Sequence, residues 1–199
     1  MSAPQVTLAS ASQIRATVLR GAGVEFEVFS PGVDEAAMKA GLLAEGASPR
    51  DIADALAELK ATRAARSRSG LVIGADQTLD LDGGLYDKVG TLEEADARLR
   101  LLRGKVHKLH AAVVVAKDGA PIWREVVTTK LSMRPFTDAF LEGYLAREGE
   151  ALLSSVGCYR LEGEGLQLFD RIDGDYFAIL GLPMIGLLDL LRRHGVLAL

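Results

Sequence analysis

A chain of 199 residues, 49% of them hydrophobic and 25% charged, has the composition of a globular protein and excludes a disordered or fibrous one. Its 23 Lys and Arg against 27 Asp and Glu give a formal net charge of −4, which excludes a general nucleic-acid binder but leaves room for a small anionic ligand met by locally focused cations and a metal ion. Cys158, the single cysteine, excludes an intramolecular disulfide and a cysteine-cluster zinc site and fits a reducing compartment.

A chain of this length buries roughly 70% of the surface its unfolded form exposes, enough for one compact domain or two small lobes sharing a cleft. No repeat, linker tract or low-complexity segment divides it, so residues 1–199 read as a single domain. No basic residue precedes Arg15 and no apolar run of signal-peptide length follows Met1, so neither export nor a membrane partner is expected. The most apolar stretch, Tyr176 to Leu188, has 13 residues broken by Gly181 and Pro183, against about 20 for a membrane span, and reads as core.

From the N-terminus, Gln5 to Ala9 predicts a short apolar strand. Ser10 with Gln13 has capping-box spacing for a helix that packs through Ile14, Val18 and Leu19 and stops at Gly21 and Gly23. Val24, Phe26 and Val28 alternate as a strand ending at Ser30-Pro31, which leaves Asp34-Glu35 in a loop or at a helix start. Ser48, Pro49 and Asp51 combine an N-cap, a first-turn proline and an acid for a long helix, with the stripe Ile52, Leu56 and Leu59 and with Lys60 at the stripe's edge. Leu71 to Ala75 predicts a buried strand that delivers Asp76 and Gln77 at its C-terminal end, where ligand crevices of open α/β sheets lie. Asp82-Gly83, Asp118-Gly119 and Asp173-Gly174 each predict a tight hairpin, which makes the sheet mixed. Thr91 with Glu94 opens a helix through Leu101, Thr137 caps another as far as Arg147, and a last helix runs from Met184 to His194. The sum is an α/β fold, a mixed twisted sheet with flanking helices.

Familiar phosphate loops are absent: Gly104-Lys105 has Leu99 where a Walker A motif needs glycine, and no G-x-G-x-x-G follows a strand. His107 and His110, three apart in a strand, face opposite sides and make a poor metal pair. Cys158 has no histidine at a cysteine-hydrolase spacing and reads as a buried structural thiol. Ser10 and Ser12 admit two readings: helix caps, or a serine-rich turn that presents backbone N–H groups to phosphate with Arg15 one turn in. Asp34, Glu35 and Asp76 are three carboxylates able to hold a hard divalent cation. Each alone reads as a solvated acid or a cap, but Asp76, directly after an apolar strand, has no structural task at a sheet's rim.

Taken in order, Leu8-Ala9-Ser10-Ala11-Ser12-Gln13-Ile14-Arg15, Asp34-Glu35, Lys60-Ala61, Gly74-Ala75-Asp76-Gln77, Lys88, Gly157-Cys158-Tyr159 and Gly181-Leu182-Pro183 resemble the signature of the Maf nucleotide pyrophosphatases over nearly the whole chain. The resemblance implies a Maf/ITPase-like fold of two lobes around a nucleotide-binding cleft, and hydrolysis of nucleoside triphosphates to monophosphate and pyrophosphate. It also implies a divalent metal cation (Mg2+, Mn2+ or Co2+), a cytoplasmic location and a homodimer. Residue by residue, it implies that Ser12, Arg15, Lys60 and Lys88 bind phosphates, that Glu35 and Asp76 serve metal and water, and that Asp76 is the catalytic proton acceptor. Gln77, Tyr159-Arg160-Leu161-Glu162-Gly163 and Leu168-Phe169-Asp170-Arg171 resemble the branch acting on 7-methyl-GTP, which puts Ile14, Gln77 and Glu162 at the base. Two positions depart from the pattern: Ile14 replaces that branch's aromatic residue, and Val89 replaces the proline that usually follows Lys88.

Cleavage between α- and β-phosphates needs a water made nucleophilic by a carboxylate or a metal, and cations to neutralise the departing pyrophosphate. Asp76 and Glu35 suit the first task. Arg15, Lys60 and Lys88 suit the second, and they explain how an acidic chain can bind a polyanion. A neighbouring reading is the housecleaning of non-standard purine triphosphates. A rival from another class is a nucleotide-binding regulator of cell division without significant turnover.

Overall fold

Strand β3 (Leu71–Leu81) organises the molecule, because alternation sends Val72, Gly74, Asp76, Thr78 and Asp80 to one face of the sheet and Leu71, Ile73, Ala75, Leu79 and Leu81 to the other. The computed structural model describes residues 5–199. β1 (Val6–Ala9) lies parallel to β3, and β2 (Glu27–Val28) lies parallel to β1 beyond it. On the other side of β3, β5 (Val106–Lys117), β6 (Ala120–Met133) and β7 (Phe169–Asp173) follow in antiparallel succession. Short β4 (Gly84–Tyr86) folds back against the end of β3. The result is a seven-stranded open mixed sheet in the order β2-β1-β3-β5-β6-β7, with β4 also beside β3.

Helix α3 (Pro49–Ala65) covers one face. Its Ala53, Ala57, Ala61 and Ala64 are fully buried against Val72, Ala112 and Val114, and these small side chains let the helix backbone come close. At Gly74 a Cβ would stand 2.3 Å from Ala57 O and 2.5 Å from Ala61 N, so only glycine fits. The opposite face carries two cores, one in each lobe. α1 (Gln13–Gly21) and α7 (Ile185–Arg193) pack on β1 and the first half of β3 through Leu8, Leu19, Ile73, Leu187 and Leu191. α4 (Leu92–Leu102) and α5 (Asp138–Glu148) pack on its second half through Leu79, Leu99, Leu102, Leu141 and Tyr144. The lobes meet at Gln77, whose Nε2 donates to Ala178 O at 2.8 Å and Ile179 O at 3.0 Å in the short helix α6 (Tyr176–Ile179).

The expected caps at Ser48, Thr91 and Thr137 form as read, each side-chain oxygen accepting a first-turn N–H. The cap of α1 is Ser12 rather than Ser10. Ser12 Oγ accepts from Arg15 N at 3.5 Å, while Ser10 Oγ is taken by Ser12 N and Arg15 Nη1. The strand expected over Val24 to Val28 shrinks to Glu27–Val28, which pair with Thr7 and Leu8 of β1, its neighbour among the described residues. β3 does not end at Ala75: β5 pairs with it as far as Asp80↔Lys108, so Asp76 and Gln77 stand mid-strand. Two Asp-Gly pairs are hairpin turns with both residues at positive φ, 54° and 85° at Asp82-Gly83 and 52° and 81° at Asp118-Gly119. The third is not. Asp173-Gly174 leads from β7 towards α6, and Asp175 caps that helix by accepting from Ala178 N at 2.6 Å.

Candidate active site

The site begins at a gap in the sheet. β1 stays in register with β3 as far as Ala9↔Gly74, and β4 takes up the same edge only at Leu79↔Tyr86. Along that edge no strand among the described residues lies beside Ala75 to Thr78, and the chain leaving β1 turns there into the N-terminus of α1. A mid-strand carboxylate can therefore face a ligand. Arg15 occupies part of the gap: Nη1 donates to Ala75 O at 2.8 Å and to Ser10 Oγ at 3.2 Å, and Nε donates to Gly181 O at 2.8 Å. Gly181, at φ 87°, turns that carbonyl inward. Three acceptors make the guanidinium a fixed cation. Burial draws its pKa below the ordinary value, against the opposing pull of Asp76 and Glu35.

On the α3 face, Lys60 Nζ lies 2.6 Å from Asp76 Oδ1 and 3.0 Å from Glu35 Oε1. The close seat of α3 on Gly74 is what brings Lys60 over the strand. Lys60 and Asp76 are each only 7% exposed, and burying two charges is tolerable because they are paired. Asp34 and Glu35 divide the work. Asp34 Oδ1 caps α2 (Glu35–Ala44) by accepting from Ala37 N at 2.9 Å, and Glu35, the first helical residue, reaches the cleft. Lys88 follows β4 and has no ion-pair partner among the described residues; partial desolvation, then Arg15 and Lys60, lowers its pKa against the pull of Asp76 and Glu35.

The gap opens into a cleft of about 1040 Å³, lined by the nine residues to which the resemblance gives a role, Ser12, Ile14, Arg15, Glu35, Lys60, Asp76, Gln77, Lys88 and Glu162, but not by Asp34. Gly157 and Tyr159 line another wall, with Cys158 between them turned away from the cleft. A Cβ on Gly157 would meet the Tyr159 ring at 2.2 Å, and Cys158 sits at φ 57°. The Cys158 side chain is buried, and its thiol is pushed up to about 11, away from nucleophilic use. Behind the wall, the Tyr159 hydroxyl shares a 2.8 Å hydrogen bond with His107 Nε2. Glu162 accepts from Arg160 Nε at 3.1 Å, and Arg160 Nη1 reaches Glu148 at 3.1 Å.

Three further charged residues line the cleft, Lys39, Asp87 and Arg160; sequence reasoning passed over the first two and met Arg160 only inside a motif, with no role of its own. Lys39 is one helical turn after Glu35, Asp87 precedes Lys88, and Arg160 stands two before Glu162. Such spacings are common on solvated surfaces, so they do not single these residues out.

The family described as Maf-like protein matches residues 5–194. A protein named nucleoside triphosphate pyrophosphatase from Caulobacter vibrioides is 67% identical over 197 residues, covering 99% of both chains. One of the same name from Granulibacter bethesdensis is 52% identical over 97% of this chain and 98% of its own. A 7-methyl-GTP pyrophosphatase from Rhizobium meliloti is 48% identical over 98% of each. With its signature residues gathered around one cleft and this match over nearly its whole length, the chain belongs to the Maf family.

Proposed function

We propose that the chain is a nucleoside triphosphate pyrophosphatase, hydrolysing NTP with water to NMP and pyrophosphate in this cleft and so clearing modified nucleotides. The observation that carries the reading is the Asp76–Lys60–Glu35 cluster at the gap in the sheet, beside the N-terminus of α1. Asp76 is the proton acceptor: Lys60 takes its Oδ1, which leaves Oδ2 to receive a proton from the attacking water. Ser12 and the open N–H groups of α1, with Arg15, Lys60 and Lys88, bind the phosphates. Their charge also meets the negative charge that grows on pyrophosphate as the α–β bridge breaks.

The donor set fits a hard divalent cation, Mg2+, Mn2+ or Co2+. Glu35 and Asp76 already share one cation, the Lys60 ammonium, and such an ion takes one or two carboxylates and completes its shell with water and phosphate oxygens. Among the described residues no group of three or more His, Cys, Asp or Glu forms a self-sufficient metal cage. When bound, the cation supplies charge neutralisation to the phosphate oxygens.

Ile14, Gln77 and Glu162 meet the base in this reading, with a shallow preference for 7-methyl-GTP over GTP. Glu162 offers a carboxylate to a cationic methylated ring, but Arg160 lies 3.1 Å from it and Ile14 provides no aromatic face. Gln77 contributes its Oε1, because its Nε2 is committed to α6. A cytoplasmic location suits the free Cys158 thiol, and among the described residues no helix is long and apolar enough to cross a membrane. The homodimer rests on family membership.

With a panel of standard and methylated triphosphates and each of the three metals, the purified protein should release pyrophosphate and monophosphate in equal amounts. Asp76→Asn should lower turnover by ~10²- to 10⁴-fold with the fold retained. Triphosphate binding with no pyrophosphate release under any of the metals would establish a nucleotide-binding regulator instead.

A further inference from the structure

Lys39 and Asp87 form an ion pair between two separate elements. Lys39 lies on α2, one turn after Glu35, and Asp87 lies in the loop after β4, next to Lys88. Both line the cleft. The Lys39 side chain is 21% exposed and that of Asp87 54%, so the pair is half-solvated and holds weakly. Its two ends are anchored unequally. Asp87 O accepts from Arg98 Nη1 at 3.0 Å, and the same nitrogen donates to Val156 O at 2.7 Å, which ties the loop to α4 and to the wall at Gly157. α2, by contrast, has no fully buried residue, so the helix can follow its lysine.

The other carboxylates of the cleft have partners of their own: Lys60 serves Asp76 and Glu35, and Arg160 serves Glu162. Lys39 is the remaining cation neutralised by a carboxylate that is itself exposed. A polyphosphate brings several negative charges and many acceptor oxygens against the single carboxylate of Asp87, and charge-assisted contacts of that kind favour the phosphate.

We propose that Lys39 is a further phosphate-binding residue, and that Asp87 is the counter-ion that holds it at the cleft until the substrate's polyphosphate replaces the carboxylate. The proposal rests on the nucleotide reading of the cleft and adds a fourth side-chain cation to Arg15, Lys60 and Lys88. It also gives Asp87 a task. A product with fewer charges competes less well for Lys39, so the pair re-forms as products leave.

Steady-state pyrophosphate release and titration with inorganic tripolyphosphate test this. Lys39→Met should raise KM roughly fivefold with kcat within about twofold, the size of one partly exposed charge contact. Lys39→Arg should stay near wild type. Asp87→Asn should lower KM about two- to threefold, because a competitor is gone, and the double variant should match Lys39→Met, because Asp87 acts only through Lys39. If Asp87→Asn raises KM alongside Lys39→Met, the pair is a strut between α2 and the loop, and the proposal falls. It falls equally if Lys39→Met leaves KM and tripolyphosphate affinity unchanged while Lys60→Met weakens both. If Lys60→Met has no effect either, the nucleotide reading of the cleft falls with it.

Discussion

His107 is 1% exposed, with Nε2 bonded to the Tyr159 hydroxyl and Nδ1 without a partner among the described residues. A proton there would put a charge into the core formed with Tyr159 and Phe169, and burial brings the imidazole down from 6.5 to about 4. Between those values the unfolded chain binds a proton that the folded chain refuses, so stability rises with pH across the window. The contribution is complete above 6.5 and is lost as pH falls towards 4, roughly 3 kcal/mol in all. His107→Gln keeps a hydrogen-bonding partner for Tyr159 but cannot titrate, so its urea-unfolding free energy should vary less between pH 7 and 4.5 than that of the wild type. Identical slopes would show that His107 carries none of the acid sensitivity. Because Tyr159 lines the cleft, wild-type activity should decline through this group only as pH falls to about 4, where the folded chain takes up the proton.

At the scale of elements, one contact positions the chemistry: α3 seated on β3 at Gly74. Adding a methyl group there forces backbone against backbone, with 2.3 Å to Ala57 O. Gly74→Ala should therefore cost ~1–3 kcal/mol in urea unfolding, the usual range for overpacking, and should lower the turnover of the folded protein by lifting Lys60 from Asp76. A variant of unchanged stability and turnover would mean that the helix has slack. Much of this was legible in advance, because caps and turns are local: Ser48, Thr91, Thr137 and two of the three Asp-Gly pairs act through residues within a few positions. β3 was harder to bound. An apolar run that gives way to Asp76-Gln77-Thr78-Leu79-Asp80-Leu81 looks like a strand ending, yet Leu79 and Leu81 continue one face while Asp76, Thr78 and Asp80 share the other. Period-two alternation carried the signal, and the pairing with β5 that sustains the strand comes from residues 28 to 36 positions away. Asp173-Gly174 misled for the matching reason, since a turn becomes a hairpin only when a strand follows. The nine candidate residues were named through family resemblance, whereas Lys39 with Asp87, 48 positions apart, came together only in three dimensions.

For the molecule as a whole, the balance of charge governs how a polyanion reaches the cleft. Five cationic side chains line it, Arg15, Lys39, Lys60, Lys88 and Arg160, against four carboxylates, Glu35, Asp76, Asp87 and Glu162. One net positive charge inside a chain of formal net −4 leaves five net negative charges on the rest of the molecule. That outer field opposes an approaching triphosphate, but it acts over distances comparable to the Debye length, about 10 Å at 0.1 M salt, and is screened first. Contacts inside the cleft span a few ångströms in a partly desolvated setting and are screened less. Added salt thus removes a repulsion while it weakens an attraction. KM for a triphosphate, measured at a fixed excess of metal, should change by less than about threefold from roughly 0.02 to 0.2 M KCl, unlike the steep loss shown by proteins that bind phosphates on an exposed basic surface. A rise of tenfold or more would mean that exposed cations outside the cleft supply the binding, and the phosphate site would have to be sought there.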